Sequence, residues 1–410
     1  MTKAVSFEPI GEMLQELAQH GRTAEGGITR FSFTPDDLKA RELVIGWMEF
    51  CEMDVRVDAA GNIIGRFGPA GKPAVVLGSH IDSVPNGGIY DGPLGVTTAL
   101  AVVAKLQENG REFVSPIEVI VFSDEEGARF GGGLFGSKVM AGKLEEDALL
   151  RTDSEGISTA QALEDYGFPP EEIHNALRDP SEFKAYIELH IEQAHVLEEN
   201  DLGVGIVTGI AGPVHFLAEF LGRADHAGAT PMNMRYDALL GACEAALAAE
   251  EIAGRAGETT VATVGQMIVS PGANNVIPGK VRMSFDVRDI NETDREWAVM
   301  EIKQKLVEIA EERGLEVDIT EISSVAPVLL HPDLVRLAEA TAFANKIDAM
   351  TMISGASHDA ATMTFLTDVL MLFVRSKDGV SHCPEEYSSP EDIEEAANLL
   401  YYIVEKLIAS

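Results

Sequence analysis

AVVLGSHIDSVPNGGIYDGPLGV (residues 74–96) passes abruptly from an apolar run into a polar, glycine-rich loop. Residues 74–77 are short, β-branched and bounded by turn chemistry, which reads as a buried strand. The same pattern recurs three times. IEVIVF (117–122) runs into Ser123-Asp124-Glu125-Glu126, YIEL (186–189) runs into His190, and VLMLFV (369–374) precedes a loop ending in Ser381-His382. Between these strands lie helical stretches at 96–107 and 390–407, the latter with Ser389 as N-cap and Pro390 in the first turn. Strands alternating with helices indicate an α/β sheet. In such a sheet ligands bind outside the carboxyl ends of the strands. His80, Asp82, Asp91, Glu125, Glu126, His190 and His382 all fall at or just beyond those ends.

Residues 212–322 read differently. A strand at 214–221, an Ala-rich helix at 236–251, strands at 260–268 and 280–287, a helix at 294–313 and a strand at 316–322 give the order β-α-β-β-α-β. The expected fold class is therefore α/β. A mixed-sheet α/β domain (residues 1–211 and 325–410) is interrupted by a smaller α+β domain (residues 212–324).

The chain has 410 residues, too many for one ordinary core, so two domains are the first expectation. Its 46% hydrophobic and 24% charged residues are ordinary for a globular protein. A formal charge of −36, from 67 acidic against 31 basic residues, disfavours nucleic acid and anionic membrane as partners. Cys51, Cys243 and Cys383 are far apart and carry no CxxC, so neither a disulfide framework nor a Cys-rich zinc site is expected. Residues 1–10 lack the apolar core of a signal peptide, and no apolar run approaches the roughly 20 residues that span a bilayer. A reduced, cytoplasmic protein is the expectation.

The residues at the strand ends mix imidazole nitrogen with carboxylate oxygen. That mixture suits Zn²⁺ or Mn²⁺, or Co²⁺ or Ni²⁺ where available. Two such ions about 3.5–4 Å apart, bridged by one carboxylate, would activate a water and polarise a carbonyl. Adjacent Glu125 and Glu126 cannot point the same way in an extended segment, so one serves as proton acceptor and the other as ligand. Asp82 is placed to hold the far nitrogen of His80. A lone His or Asp in a loop is ordinarily a solvated side chain, and His20, His174, His195 and His331 stay in that class. The combination around residues 80–126 is what points to a metal centre.

At this point the motifs resemble a known family. GSHIDSVPNGGIYDGPLGV (78–96), SDEEGARFGG (123–132), ELHIEQ (188–193), DHAGATPM (225–232), NNVIPGKV (274–281), DVRD (286–289), SGASHDA (354–360) and GVSHCPEE (379–386) look like the amidase/hydantoinase/carbamoylase branch of the M20 metallopeptidase-like hydrolases. The resemblance spans nearly the whole chain, in order. It implies two metal ions, one held by His80 and His190, the other by Glu126 and His382, with Asp91 bridging. It implies Glu125 as general base or acid and Asp82 as the group that orients ligands from behind. It implies that the inserted domain serves as lid and dimerisation surface. Within that domain His226 resembles the histidine that stabilises the developing oxyanion, often across a homodimer. Asn275 and Arg288 resemble the pair that binds a substrate carboxylate. Gln193 resembles a substrate-facing residue beside the metals, and Gly355 a backbone contact to substrate. The alternatives from the residues alone stay open: an ion pair of Arg288 with Asp286 or Asp289, a turn role for Asn275, and a polar loop position for His226.

The activity implied is hydrolysis of the carbamoyl C–N bond of an N-carbamoyl-L-amino acid or related ureido acid, giving amino acid, carbon dioxide and ammonia. Its partner is a small carboxylate-bearing molecule. Rival readings are an allantoate amidohydrolase, an M20-like N-acyl amino acid hydrolase or dipeptidase, and a binding protein that has lost catalysis. His215 stands where relatives tend to carry arginine or an aromatic residue near the substrate, and Ser357 where glycine is expected. Ser83 and Ala229 each replace a common threonine. None of the four is an expected metal ligand; His215 and Ser357 bear on the choice of substrate.

Overall fold

The structure is a computed structural model that describes residues 5–409. The chain divides into two compact units. Residues up to 208, 330–352 and those from 358 onward form the first; 209–329 and 353–357 form the second.

The first unit is built on β1 (Asp54–Val57), β2 (Ile63–Phe67), β3 (Ala74–His80), β4 (Ile117–Phe122), β5 (Phe183–Ile191) and most of β6 (Val204–Ile210). The second contributes β7 (Gly212–Leu221), β8 (Asp225–His226), β9 (Val261–Ser270), β10 (Val276–Ile277), β11 (Lys280–Asp289), β12 (Glu316–Ser324) and β13 (Val328–Leu329). The chain then returns through β14 (Ala349–Ser354) to β15 (Val369–Val374).

In the first unit the strand order is β1-β2-β4-β3-β5-β15-β6, with β14 also paired to β6. The four central strands β4, β3, β5 and β15 are mutually parallel, and β2 and β6 flank them antiparallel. Every residue of β3, β4 and β15 is buried, which is why their sequences are apolar without alternation apart from Glu118 and the polar end of β3. The helices Pro93–Glu108 and Pro390–Ile408 pack against this sheet. Leu94, Val96, Leu100, Val102, Val103 and Leu106 of the first are each 1% exposed or less. Burial of each such side chain contributes about 1.5–3 kcal/mol. The second helix starts as its sequence suggests: Ser389 Oγ accepts the Asp392 N–H at 3.1 Å and Pro390 fills the first position. Because the central strands run one way, their carboxyl ends lie along one edge. His80 is the last residue of β3 and pairs in register with Phe122, the last of β4; His190 of β5 pairs with Phe373 of β15.

The second unit is a four-stranded antiparallel sheet of order β12-β7-β11-β9. The helices Ala238–Ala256 and Glu292–Arg313 pack on it. Alternation decides the faces. Val214, Phe216, Ala218 and Phe220 of β7 and Val281, Met283, Phe285 and Val287 of β11 enter the core, where the Phe216 and Phe285 rings stack at 4.6 Å. His215, Asp286 and Arg288 therefore share the opposite face. The first helix, expected from Tyr236, starts at Ala238, because the Asp237 carboxylate caps it through the Leu239 and Leu240 N–H groups. β8 and β10 form a separate two-stranded ribbon. Gly209 and Ile210 pair with β13, which draws both chain crossings into this unit beyond residues 212–324.

The three cysteines are free thiols. Among the described residues no helix is long and apolar enough to cross a membrane.

Candidate metal centre

Five side chains meet at the carboxyl edge of the first unit's sheet: His80 and His190 from strands β3 and β5, and Asp91, Glu126 and His382 from the loops beyond β3, β4 and β15. Asp91 is central. Its Oδ1 lies 3.5 Å from His80 Nε2 and 3.2 Å from His190 Nε2. Its Oδ2 lies 3.3 Å from His382 Nε2, and Glu126 Oε2 lies 3.8 Å from that same nitrogen. Two triads result, His80–Asp91–His190 and Asp91–Glu126–His382, each with its donor atoms within 4.8 Å of one another. Asp91 belongs to both, one oxygen towards each.

The loops that place these residues are tightly specified. Gly92 has φ +81°, and a Cβ there would lie 2.4–2.6 Å from three atoms of the His80 ring. Only glycine allows Asp91 to come so close to His80. Asp124, Gln193 and His382 adopt left-handed backbone (φ +52°, +59° and +59°), and such residues cluster at functional sites. The turn at Asp124 breaks the extended path expected for residues 123–126. Glu125 Oε2 consequently approaches His80 Nε2 (3.6 Å) while Glu126 faces His382.

The donor chemistry fits divalent cations. His80 Nδ1 lies 3.1 Å from the Asp82 carbonyl and His190 Nδ1 3.0 Å from the Ile191 carbonyl. A carbonyl only accepts, so each of these contacts is made by an Nδ1–H, and the Nε2 of both rings faces Asp91, where a bound cation would take the place of a proton. His190 Nε2 and Glu126 Oε1 are buried with no hydrogen-bond partner, which is costly for polar atoms unless something else satisfies them. A cation at each triad would do so.

Asp82 acts differently from expectation. Its carboxylate is 3.6 Å from His80 Nδ1, too far for a good hydrogen bond, and the backbone carbonyl of Asp82 holds that ring instead. The carboxylate accepts the N–H of Glu125 at 3.2 Å and of Glu126 at 3.1 Å, fixing the acidic turn. Arg30, 2% exposed, braces the same segment from below, with Nε donating to Ile81 O at 2.7 Å and Nη1 to Leu17 O and His20 O.

Burial and neighbouring charge set the protonation of the protein groups. Burial pushes the Glu125 carboxyl well above the usual carboxylate range; His80 opposes, while Asp359, Glu126 and Asp82 add. Glu126 is raised to about 7, by burial first and then by Asp91. Burial would also raise Asp91, but His190, His382 and His80 outweigh it and hold Asp91 well below. The hydrogen bond to Asp91 lifts His382 to about 9.

Other residues surround the centre. Gln193 Nε2 donates to Asp91 Oδ2 at 2.7 Å. Buried Glu188 accepts from Ser79 Oγ (3.0 Å), Tyr186 OH (3.1 Å) and the Ala360 N–H (2.9 Å), joining β3, β5 and the start of the short helix Asp359–Met363. The His358 ring sits 4.5 Å from that of His190, edge to face. Burial and His190 depress His358 well below its ordinary value. Nothing in residue type or spacing marked Arg30, Glu188 or His358 for a role. Only the strings ELHIEQ and SGASHDA offered a signal for the last two.

The second unit holds the remaining candidates in two places. Arg288 forms a bidentate pair with Asp286 (Nε to Oδ1 2.9 Å, Nη2 to Oδ2 2.8 Å), so the ion pair left open by the sequence does form. Nη1 donates to the Gly355 carbonyl at 2.8 Å. A guanidinium has five N–H groups, and two remain on Arg288. His215 Nε2 lies 3.1 Å from Asp286 Oδ2 and its Nδ1 3.0 Å from Ser323 Oγ. His226 and Asn275 lie elsewhere, on the β8–β10 ribbon: His226 pairs with Val276, and Asn275 O accepts the Ala227 N–H at 2.9 Å. His226 Nδ1 accepts the N–H of Gly228 (3.0 Å) and Ala229 (3.1 Å), which leaves the proton on an exposed Nε2. Asn275 and Arg288, expected to bind one substrate carboxylate, lie towards opposite ends of β11 in the chain. Arg288 is opposite Pro213 at one end of β11, and the ribbon lies beyond Lys280, opposite Leu221, at the other. Eight residue steps along the strand separate those positions by roughly 26 Å.

The model of Peptidase family M20/M25/M40 matches residues 76–406. The chain belongs to this family, whose members are metal-dependent hydrolases. Within it the similarity is to the amidase/hydantoinase/carbamoylase branch. The chain is 43% identical to an N-carbamoyl-L-amino acid amidohydrolase of Geobacillus stearothermophilus, over 98% of this chain and 99% of that one. It is 36% identical to a ureidoglycolate hydrolase of Oryza sativa subsp. japonica, over 98% and 85%. A solved amidase of the hydantoinase/carbamoylase family from Burkholderia multivorans superposes with a TM-score of 0.93 at 33% identity, covering both chains completely.

Proposed function

We propose that this protein hydrolyses the carbamoyl C–N bond of an N-carbamoyl-L-amino acid or a closely related ureido acid, in a centre holding two divalent cations. The observation that carries the reading is Asp91, whose two oxygens face two separate His/carboxylate triads. His80 and His190 would hold one cation and Glu126 and His382 the other, and this donor set suits Zn²⁺ or Mn²⁺. When bound, such a pair supplies a water of lowered pKa and electrophilic pull on the carbonyl under attack.

The chain's own groups do the rest. Glu125 belongs to neither triad and stands beside His80. It takes the proton from the attacking water and delivers it to the departing amine as the C–N bond breaks. The carbamate left behind falls apart into carbon dioxide and ammonia. Arg288, aimed by Asp286, offers its two remaining N–H groups to the substrate carboxylate. His226 presents Nε2–H to the oxygen that gains negative charge.

A small ureido acid cannot reach both ends of β11. The substrate therefore meets Arg288 of one chain and His226 with Asn275 of a second copy, so the working enzyme is a homodimer. The sheet of the second unit supports this reading. β9 is an edge strand of ten residues, with Val261 and Ile268 53% and 61% exposed, and a long apolar edge is open to pairing.

The test is a substrate panel. Purified protein supplied with Mn²⁺ or Zn²⁺ should release ammonia and free amino acid from N-carbamoyl-L-amino acids, and little product from N-acyl amino acids or dipeptides. Ammonia from no carbamoyl or ureido compound would sink the proposal. Ureido acids such as allantoate belong in the panel, because His215 lies against the Asp286–Arg288 pair and a ureidoglycolate hydrolase is among the relatives.

A further inference from the structure

We propose that Glu386 is a positioning residue that locks together the two loops supplying Asp91 and His382, and so sets the bridge between the cations. The inference rests on the two-cation reading above.

Glu386 is 5% exposed and outside both triads. Its Oε1 accepts two backbone N–H groups, from Tyr90 and Asp91, each at 3.0 Å. Its Oε2 lies 2.9 Å from Ser381 Oγ, and that hydroxyl is in turn 3.0 Å from Asp91 Oδ2. One carboxylate thus grips the backbone of the Asp91 loop with one oxygen. With the other it holds the residue immediately before His382. The two loops follow β3 and β15, nearly 300 residues apart in the chain.

The seat is shaped for this side chain. A Cβ on Gly88 would lie 2.1 Å from Glu386 Oε1, 2.4 Å from its Cδ and 2.5 Å from its Cβ. Real Cβ atoms do not approach so closely, so any larger residue at 88 would expel the carboxylate. Without it, two buried N–H groups lose their acceptor. Asp91 would then be free to rotate, and its two oxygens would no longer be committed one to each triad. Groups that orient ligands from behind typically govern cation affinity by about tenfold to a hundredfold.

The experiment measures Zn²⁺ binding to apoprotein by competition with a chromophoric chelator, alongside the visible spectrum of the Co²⁺-loaded form. The proteins are wild type, Glu386→Gln, Glu386→Ala, Gly88→Ala and Ser381→Ala. Glutamine keeps the acceptor for both N–H groups and should hold Zn²⁺ within about threefold of wild type. Glu386→Ala and Gly88→Ala should lose about tenfold to a hundredfold for the more weakly held ion, with an altered Co²⁺ spectrum. Ser381→Ala removes one hydroxyl and keeps the test open if Glu386→Ala fails to fold; it too should weaken binding of that ion. Wild-type affinity and spectrum in the folded alanine variants, or equal losses for Gln and Ala, would overturn the proposal. Failure of wild type to bind any divalent cation would instead remove the metal centre itself.

Discussion

Glu125 lies within 3.6 Å of His80 Nε2 yet takes no part in either triad around Asp91. A ligand and a proton carrier should therefore separate on mutation. Glu125→Gln is expected to lower kcat by about 10²- to 10⁴-fold while leaving the cation content unchanged; Glu126→Gln is expected to lose bound cation. Ammonia release and elemental analysis on the two variants check both halves. In the second unit, Asp286→Asn removes the partner that aims Arg288. Substrate KM should rise roughly tenfold or more with a smaller change in kcat; a fall in kcat alone would place Arg288 away from the substrate carboxylate. At this scale the sequence was readable where a residue's type and place in the chain already announced its chemistry. His80, Asp91, Glu126, His190 and His382 stand at or after apolar runs, so their convergence was legible. Arg30 and Glu386 were not, because each acts on backbone groups that only folding brings near: Arg30 on Ile81 O and Glu386 on the Asp91 N–H. The same holds for Asp82, whose carboxylate serves the Glu125 and Glu126 N–H groups rather than the neighbouring imidazole.

Four parallel strands aimed at one edge explain how side chains from residues 80 to 382 meet. β4 and β15 match the apolar runs residue for residue, and β3 and β5 extend theirs by a few residues, because a strand buried on both faces leaves its signature in composition alone. The β8–β10 ribbon left no such trace: two residues per strand are too short for a pattern, and its pairing depends on contacts across some fifty residues. The acidic turn is silent in the sequence for a related reason, since the left-handed backbone of Asp124 is imposed by the fold around it. Close approach at the loop before the helix Pro93–Glu108 gives a prediction for this scale. Gly92→Ala places a Cβ inside van der Waals distance of the His80 ring and forces alanine to φ +81°. The backbone strain alone costs about 1–3 kcal/mol. The expected outcome is a protein of lowered melting temperature with weakened cation binding at the His80–His190 side. Unchanged binding would mean that this loop does not fix Asp91.

At the scale of the whole molecule, the length of β11 separates Arg288 from His226 and Asn275. If the substrate bridges two copies, chains carrying Arg288→Ala and chains carrying His226→Ala should each be inactive alone. Mixed and allowed to re-pair, half of the dimers would carry one intact site of two, restoring about a quarter of wild-type activity. No recovery on proven subunit exchange would confine the site to one chain. Protonation links the centre to pH. His382 is lifted to about 9 and Glu126 to about 7, so protons occupy ligand positions at neutral pH and below. Cation binding must displace them, and affinity should therefore rise from pH 6 towards pH 9 with proton release, seen by calorimetry in buffers of different ionisation enthalpy. The most direct measurement is the metal content of the purified, dialysed protein beside its Asp91→Ala variant. Shared ownership of Asp91 by two triads requires about two divalent ions per wild-type chain, and loss of most of both in the variant. Wild-type protein retaining none after loading, or an Asp91→Ala protein that keeps both, would contradict it.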